Sequence, residues 1–446
     1  TALAMIPRAA TALLVAVALR LPGASLGFVT PASRRQRASR ISGARLSAAT
    51  DDNDSSHAGV GGAVDRRSAL ERGGGLGAAA LSSLLLSPAV MNSRPANAAT
   101  DYDDGKKKRI LITGSNSGIG LDAAQRMVLR GHEVMLACRT FDKANAAINK
   151  IETNIANDSE DAIDANTLLK SLKLIPAECD LADLSSVEKF VRSQSQPFDA
   201  VCYNAGLARN TEAKDVARTK QGFELTVGTN HLGHFYLNHL LLKSSLIERE
   251  GGRIVVTASS VHDPDSPGGA QGVLATLGDL GGFERAVTNG SGKFDMVNGG
   301  EFNADKAYKD SKLCNVLFTR ELQRRLDASG SNIKANSFTP GLIVGTGLFR
   351  DQNKVFTKVF DIAATNLLKV GETTHYGGGA LEYVTLSAGV GGKGGLYYYS
   401  PPGSSKYGDS AYGKQFVASE VSKEALASDG EKAKRFWELS EKLVGV

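Results

Sequence analysis

The first fifty residues contain no aspartate or glutamate, cysteine occurs only four times in 446 residues, and no apolar run crosses a bilayer's worth of chain uninterrupted. Each scarcity removes a class of protein. Cys138, Cys179, Cys202 and Cys314 show no CxxC spacing and no metal-ligand pattern, so they read as buried, reduced thiols rather than a disulfide framework or a zinc site. The longest apolar stretch, ATALLVAVALRLPGASLG, is short and is broken by Arg20 and Pro22, which argues against a spanning helix. The net charge of +5 is small, and part of it lies in Arg34, Arg35, Arg37, Arg40 and Arg45, leaving no case for nucleic-acid binding. No internal repeat is visible. The 42% hydrophobic and 22% charged fractions are those of an ordinary soluble protein.

Residues 1–100 differ in composition from the rest and read as an address. Arg8, the apolar stretch and the small residues after it resemble a secretory signal peptide. The basic, hydroxylated segment from Phe28 to Arg45 resembles an organelle transit peptide. The join ASLGFVTP is similar to the bipartite leader of algae whose plastids derive from a red alga. Arg66-Arg67, a weakly apolar stretch and the end Pro95-Ala96-Asn97-Ala98-Ala99 resemble a thylakoid twin-arginine signal. A plastid location, associated with the thylakoid, is the expectation; the stromal and lumenal sides both stay open. The chain opens on Thr1 without an initiator methionine, so residues are expected to precede it.

From Lys106 the chain reads KKKRILITGSNSGIGLDAAQRMVLRGHEVMLACRT. Arg109 to Thr113 is short, apolar and β-branched, as a buried parallel strand requires. Helical periodicity follows Gly120, with Ala123, Ala124, Met127 and Val128 on one face. Gly114, Gly118 and Gly120 therefore fall in a strand-to-helix turn, where a side chain would keep a pyrophosphate from the helix N-terminus. Ser115, Ser117 and Ile119 of the same turn are candidate cofactor contacts. The second strand, Val134 to Cys138, ends in Arg139 rather than an acidic residue, so the site is expected to take the 2′-phosphate of NADPH. Further strands follow at α/β spacing. Leu174 to Cys179 ends in Asp180-Leu181, a candidate adenine edge, and Ala200 to Tyr203 ends in Asn204-Ala205-Gly206, on the nicotinamide side. Arg253 to Ala258 ends in Ser259-Ser260. The expected fold is a Rossmann-like, doubly wound parallel sheet with its ligands at the carboxyl ends of the strands.

The segment AYKDSKLCNVLFTRELQRRL is helical in pattern and puts Tyr308 and Lys312 one turn apart on one face. The ammonium is expected to lower the phenol's pKa and make Tyr308 a proton donor near neutral pH.

TGSNSGIG, YNAG, the asparagine of TNHLGHF, the serine strand and YKDSK together resemble the short-chain dehydrogenase/reductase superfamily. That resemblance implies Ser259, Tyr308 and Lys312 as a catalytic triad with Asn230 as its fourth member, Ser260 being the rival for the serine role. About fifty residues separate Ser259 from Tyr308, where the superfamily typically has about a dozen, so a single domain over 101–446 with a long insertion is expected. The insertion, with NHLGHF, AYKDSKLCN, TGLFR and the closing KAKRFWELSEKLVGV, resembles the light-dependent protochlorophyllide oxidoreductases over residues 107 to 446. It implies NADPH-dependent, light-driven reduction of a tetrapyrrole at the thylakoid membrane surface, with homo-oligomers common in the superfamily. Thr346 is expected near the cofactor. The insertion and the segment from Leu348 to Phe360 are expected to cover an apolar ligand.

The chain departs from that family at Thr339 and Leu342, where its members carry tyrosine and cysteine around the Pro-Gly turn. Both changes fall on the substrate side. Two other readings therefore stand beside protochlorophyllide reduction: a plastid reductase acting in the dark on another apolar substrate, such as a carotenoid or chlorophyll derivative, and a non-catalytic NADPH- and pigment-binding protein.

Overall fold

In the computed structural model the apolar run at Arg109 becomes β1 (Arg109–Thr113), whose last four residues are buried. The structure describes residues 105–158, 162–343, 371–426 and 430–446, without the side chains of 162–165. The leader, Thr346 and the stretch from Leu348 to Phe360 lie outside the described residues. After β1 come α1 (Gly118–Leu129), β2 (Glu133–Cys138), α2 (Phe141–Asp158), α3 (Ala162–Ser171), β3 (Lys173–Glu178), α4 (Leu184–Arg192) and β4 (Ala200–Tyr203). There follow α5 (Gly233–Lys243), β5 (Arg253–Thr257), α6 (Gly281–Thr288), α7 (Ala304–Ala328) and β6 (Lys334–Phe338). The chain closes with α8 (Thr374–Leu386), β7 (Tyr397–Tyr399), β8 (Val417–Ser419) and α9 (Glu431–Val444).

The strands form one sheet in the order β3-β2-β1-β4-β5-β6-β7-β8, and only β8 runs antiparallel to its neighbour. This is the doubly wound arrangement expected. Alternation along each strand sends successive side chains to opposite faces. Ile110, Ile112, Val255 and Phe338 pack under α1 and α8, whereas Leu111, Val201, Ile254 and Val256 pack under α4, α5, α7 and α9. The order reverses between β1 and β4, which opens a crevice at their carboxyl ends. All four cysteines are buried and free, as their apolar contexts predict.

The closing helix docks on the second face through aromatics. Trp437 stacks on Phe318 at 5.7 Å and meets Phe235 edge-on at 4.8 Å, and Phe436 stacks on His231 at 4.8 Å.

Part of the long insertion between β5 and α7 packs into the protein itself. Its apolar residues Leu277, Leu280, Phe283, Phe294 and Val297 are buried in the protein's own core. It is tied to α7 by charge-assisted bonds: the Lys306 ammonium pairs with Asp310 and donates to the Thr276 carbonyl at 2.6 Å, and the Asp310 carboxylate accepts from the Thr276 N–H at 3.0 Å. Glu424 accepts from the Leu277 N–H at 2.8 Å. Saturating these groups with internal partners makes this part of the insertion a buttress behind α7.

Candidate active site

The glycine turn owes its composition to a close approach of two backbone segments. Gly114 has φ +67°, and a Cβ there would lie 2.7 Å from the Ala205 Cα. A Cβ on Gly120 would lie 2.5 Å from Asn204 Nδ2 and 2.7 Å from the Gly114 carbonyl. The two turns are riveted by Thr113, whose hydroxyl accepts from the N–H groups of Asn204 and Ala205 at 2.9 and 3.0 Å. Asn204 returns the contact by donating to the Thr113 carbonyl at 3.0 Å. Asn204 and Ala205 thus hold the crevice walls together. Gly206, the next residue, is exposed, and a Cβ on it would stand 3.4 Å from Asn230 Oδ1 and 3.6 Å from Lys312 Nζ.

The candidate cofactor residues divide into two kinds. Ser117 caps α1 with an exposed hydroxyl that makes no hydrogen bond among the described residues, next to Gly118 at φ +59°. Arg139, at the end of β2, is exposed and has no hydrogen bond or ion pair among the described residues. Both can reach an anion, beside the unsatisfied N–H groups of a 12-residue helix. Ser115, by contrast, is fully buried and donates to the Ile112 carbonyl at 3.1 Å, which leaves only its backbone for a ligand. Ile119 is half-buried and lies against Gly377 of α8. Leu181 is buried against Gly233, and the Asp180 carboxylate accepts from the Ala182 N–H at 3.1 Å, closing its own turn. This pair therefore shapes the wall at the end of β3, with the half-exposed Asp180 at its rim.

Tyr308 and Lys312 do share a face of α7: the ammonium is 5.5 Å from the phenol ring centroid. The Ser259 hydroxyl accepts from the Val261 N–H at 3.4 Å and lies close enough to the phenol to act on its protonation. The expected fall in the phenol's pKa is not found. Tyr308 is partly open to the crevice yet deeply enclosed, and burial pushes the phenol up, with Ser259 only partly opposing it. The i+4 spacing identifies the cation but not the desolvation, which dominates. Lys312 is itself buried, donates to the Thr257 carbonyl at 3.2 Å, and is pushed down to about 8 by desolvation.

Asn230 is fully buried in a π-helical turn, Gly228–Leu232, just before α5. Its amide accepts from the Leu207 N–H at 2.9 Å and donates to the Leu207 carbonyl at 2.9 Å and the Ser311 hydroxyl at 3.0 Å. A π turn in a helix commonly marks a functional position. Residues that sequence reading passed over complete the frame. His234 reaches the Asn230 carbonyl at 3.0 Å through Nδ1 and the Thr113 hydroxyl at 2.9 Å through Nε2, joining the cofactor turn to the π turn. The second histidine of NHLGHF was the visible signal.

Thr339 does not face the crevice as a substrate contact. It is 1% exposed, and its hydroxyl accepts from the Ser260 N–H at 3.2 Å and the Gly341 N–H at 3.3 Å. Leu342 is half-buried, its carbonyl accepting from the Glu372 N–H at 2.8 Å.

A short chain dehydrogenase family model matches residues 108–271. The protochlorophyllide reductase of Cucumis sativus chloroplasts is 35% identical over 372 residues, covering 81% of this chain and 82% of that one. Protochlorophyllide reductase A of Arabidopsis thaliana is 33% identical over 81% of this chain and 84% of its own. Among solved structures, an uncharacterized protein of Mycobacterium paratuberculosis superposes with a TM-score of 0.52 at 26% identity, over 78% of this chain and 97% of that one. The chain therefore belongs to the short-chain dehydrogenase/reductase superfamily and, within it, to the protochlorophyllide reductase family of oxidoreductases.

Proposed function

We propose that this protein reduces protochlorophyllide to chlorophyllide with NADPH, in a light-dependent reaction, in a plastid and at the thylakoid surface. The observation that carries the reading is the convergence of Ser259, Tyr308, Lys312 and Asn230 on one crevice beside the glycine turn. The relatives' names supply the substrate class and the compartment.

The residues present fit a dinucleotide. Ser117, the N-terminus of α1 and the backbone of Ser115 and Gly118 would hold the pyrophosphate, and Arg139 a 2′-phosphate. Bound there, NADPH supplies a hydride. Asn204 and Ala205 keep the wall rigid through Thr113, and Gly206 leaves room in front of Lys312. Lys312, oriented by the Thr257 carbonyl, suits the ribose hydroxyls. Because burial raises the Tyr308 phenol, it rests protonated at neutral pH. It can release that proton only as negative charge develops on the substrate and the Lys312 ammonium stabilises the phenolate. Ser259 would hold the phenol oxygen in place.

A second reading, dark reduction of another apolar carbonyl or alkene, is favoured by one observation: the aliphatic, half-buried Leu342 offers no proton or hydrogen bond at the substrate side. Full-length protein incubated with NADPH and protochlorophyllide separates the two. Chlorophyllide absorbance that grows only under illumination supports the first, and NADPH oxidation in darkness with a carotenoid ketone supports the second.

A further inference from the structure

His262 opens the insertion three residues after Ser259 and ends the short 3-10 turn Ser260–His262. It is 1% exposed. Its two ring nitrogens serve two separate pieces of backbone. The Ser422 N–H donates to Nε2 at 3.2 Å, so Nε2 carries no proton. The remaining ring proton is then on Nδ1, 2.7 Å from the Ser259 carbonyl, and donates to it. The backbone N–H of Ser422 thereby selects the tautomer that grips Ser259. The ring's face is fixed as well, since Tyr397 of β7 meets it edge-on at 5.0 Å. Ser422 in turn caps the turn that carries Glu424, whose carboxylate holds the insertion at Leu277.

We propose that His262, in its neutral Nδ1–H form, is a positioning residue that sets the Ser259 hydroxyl against Tyr308 and couples that placement to the C-terminal segment at Ser422. This rests on the reading of Ser259 and Tyr308 as parts of the reductive site. A proton on Nε2 would set two donors, the ring N–H and the Ser422 N–H, against each other, so the clasp exists only in the neutral ring. The charged or titratable groups around it are Asp263 beside it, Tyr397 from β7, Tyr308 from α7 through Ser259, and Lys423 next to Ser422, which is paired with Asp265. Of these only Asp263 favours the imidazolium besides the Ser259 carbonyl, and burial outweighs both, moving the ring below its usual value. The clasp is therefore complete above about pH 6.5 and opens as the pH falls through the ring's lowered pKa.

Three variants of the full-length protein test this. H262N keeps a side-chain donor in the place of Nδ1, H262Q keeps an acceptor near the place of Nε2, and H262F removes both while filling the space. H262F is expected to lose about a hundredfold in turnover with its NADPH affinity unchanged, because the cofactor turn lies elsewhere. H262N is expected to recover most of the turnover and to lack the acid limb that the wild type shows below pH 6.5. Amide exchange at Ser422 is expected to accelerate in H262F, a readout that requires no substrate. Turnover in H262F equal to the wild type, unchanged Ser422 exchange in it, or H262Q outperforming H262N would each overturn the inference. If H262F does not fold, the H262N-to-H262Q order decides. Inactivity of the wild type toward protochlorophyllide counts against the proposed substrate alone, since Ser422 exchange still reads the clasp.

Discussion

The Thr339 hydroxyl accepts a hydrogen bond from the backbone N–H of Ser260 at 3.2 Å, so the end of β6 braces the serine loop at the end of β5. The same oxygen takes the Gly341 N–H at 3.3 Å. A threonine here thus gives rigidity to the loop in place of an aromatic reaching toward substrate. Replacing Thr339 with the isosteric valine leaves two backbone N–H groups without their partner. It is expected to lower stability by about 1–3 kcal/mol and to reduce turnover more than NADPH binding. Denaturant titration and single-turnover kinetics check it; an unchanged midpoint and rate would show that the brace is idle.

Gly120 sits where two backbones meet. Gly120→Ala would place a methyl 2.5 Å from Asn204 Nδ2 and 2.7 Å from the Gly114 carbonyl, so the turn must move. Overpacking of this kind typically costs about 1–3 kcal/mol. NADPH affinity is expected to fall at least tenfold, measured by quenching or calorimetry, whereas Gly131→Ala, whose Cβ meets nothing within 4 Å, is expected to leave that affinity intact.

Arg139 is exposed at the end of β2 and has no protein partner among the described residues. Arg139→Glu is expected to raise the Kd for NADPH by about a hundredfold, equivalent to roughly 2.7 kcal/mol, and to improve NADH relative to NADPH. Equal loss for both cofactors would remove Arg139 from the 2′-phosphate site.

How much was legible in the sequence depended on whether a feature is local. β1 and β4 could be bounded to the residue because short apolar, β-branched runs stop at polar turns; β2 and β5 differ by one position at one end, and β3 is displaced by one position at both. Ser259 could be preferred over Ser260 by counting from the start of β5, and it acts on the Tyr308 phenol. The direction of the Tyr308 shift could not be read, since the i+4 lysine is visible in sequence and the enclosing protein is not. Ser115 looked like a phosphate ligand by its place in the glycine turn, yet its hydroxyl turns inward to Ile112. His234 and Thr113 are 121 positions apart and meet only because α5 packs beneath β1 and β4. The apolar residues of the insertion that anchor it in the core, Leu277, Leu280, Phe283, Phe294 and Val297, carry no periodic signal.

Three of the buried histidines, His231, His234 and His262, are expected to lower the fold's stability in acid. Burial lowers His231 to about 3 and His234 to about 4, and lowers His262 below its usual value. For each, the folded pKa lies below the unfolded one, so the unfolded chain binds more protons between the two values. The stability these sites contribute is complete above about pH 6.5 and is lost as pH falls toward 4 and then 3. His231 and His234 are each worth up to roughly 3–5 kcal/mol over that window. Denaturant midpoints between pH 7.5 and 4.5 are expected to fall steeply below 6.5, and the double variant H231F/H234Q is expected to flatten the slope. A slope unchanged in that variant would place the acid sensitivity elsewhere.

The central claim is that Tyr308 delivers the proton in a light-triggered reduction. Full-length wild type and Y308F are loaded with NADPH and protochlorophyllide at low temperature, given one flash, and warmed in darkness while absorbance is recorded. The account predicts a chlorophyllide band that forms in the wild type only after the flash, and in Y308F at least a hundredfold more slowly at equal pigment binding. A chlorophyllide band that forms at the same rate in both proteins, or no flash-dependent band in a wild type that binds both ligands, would contradict it.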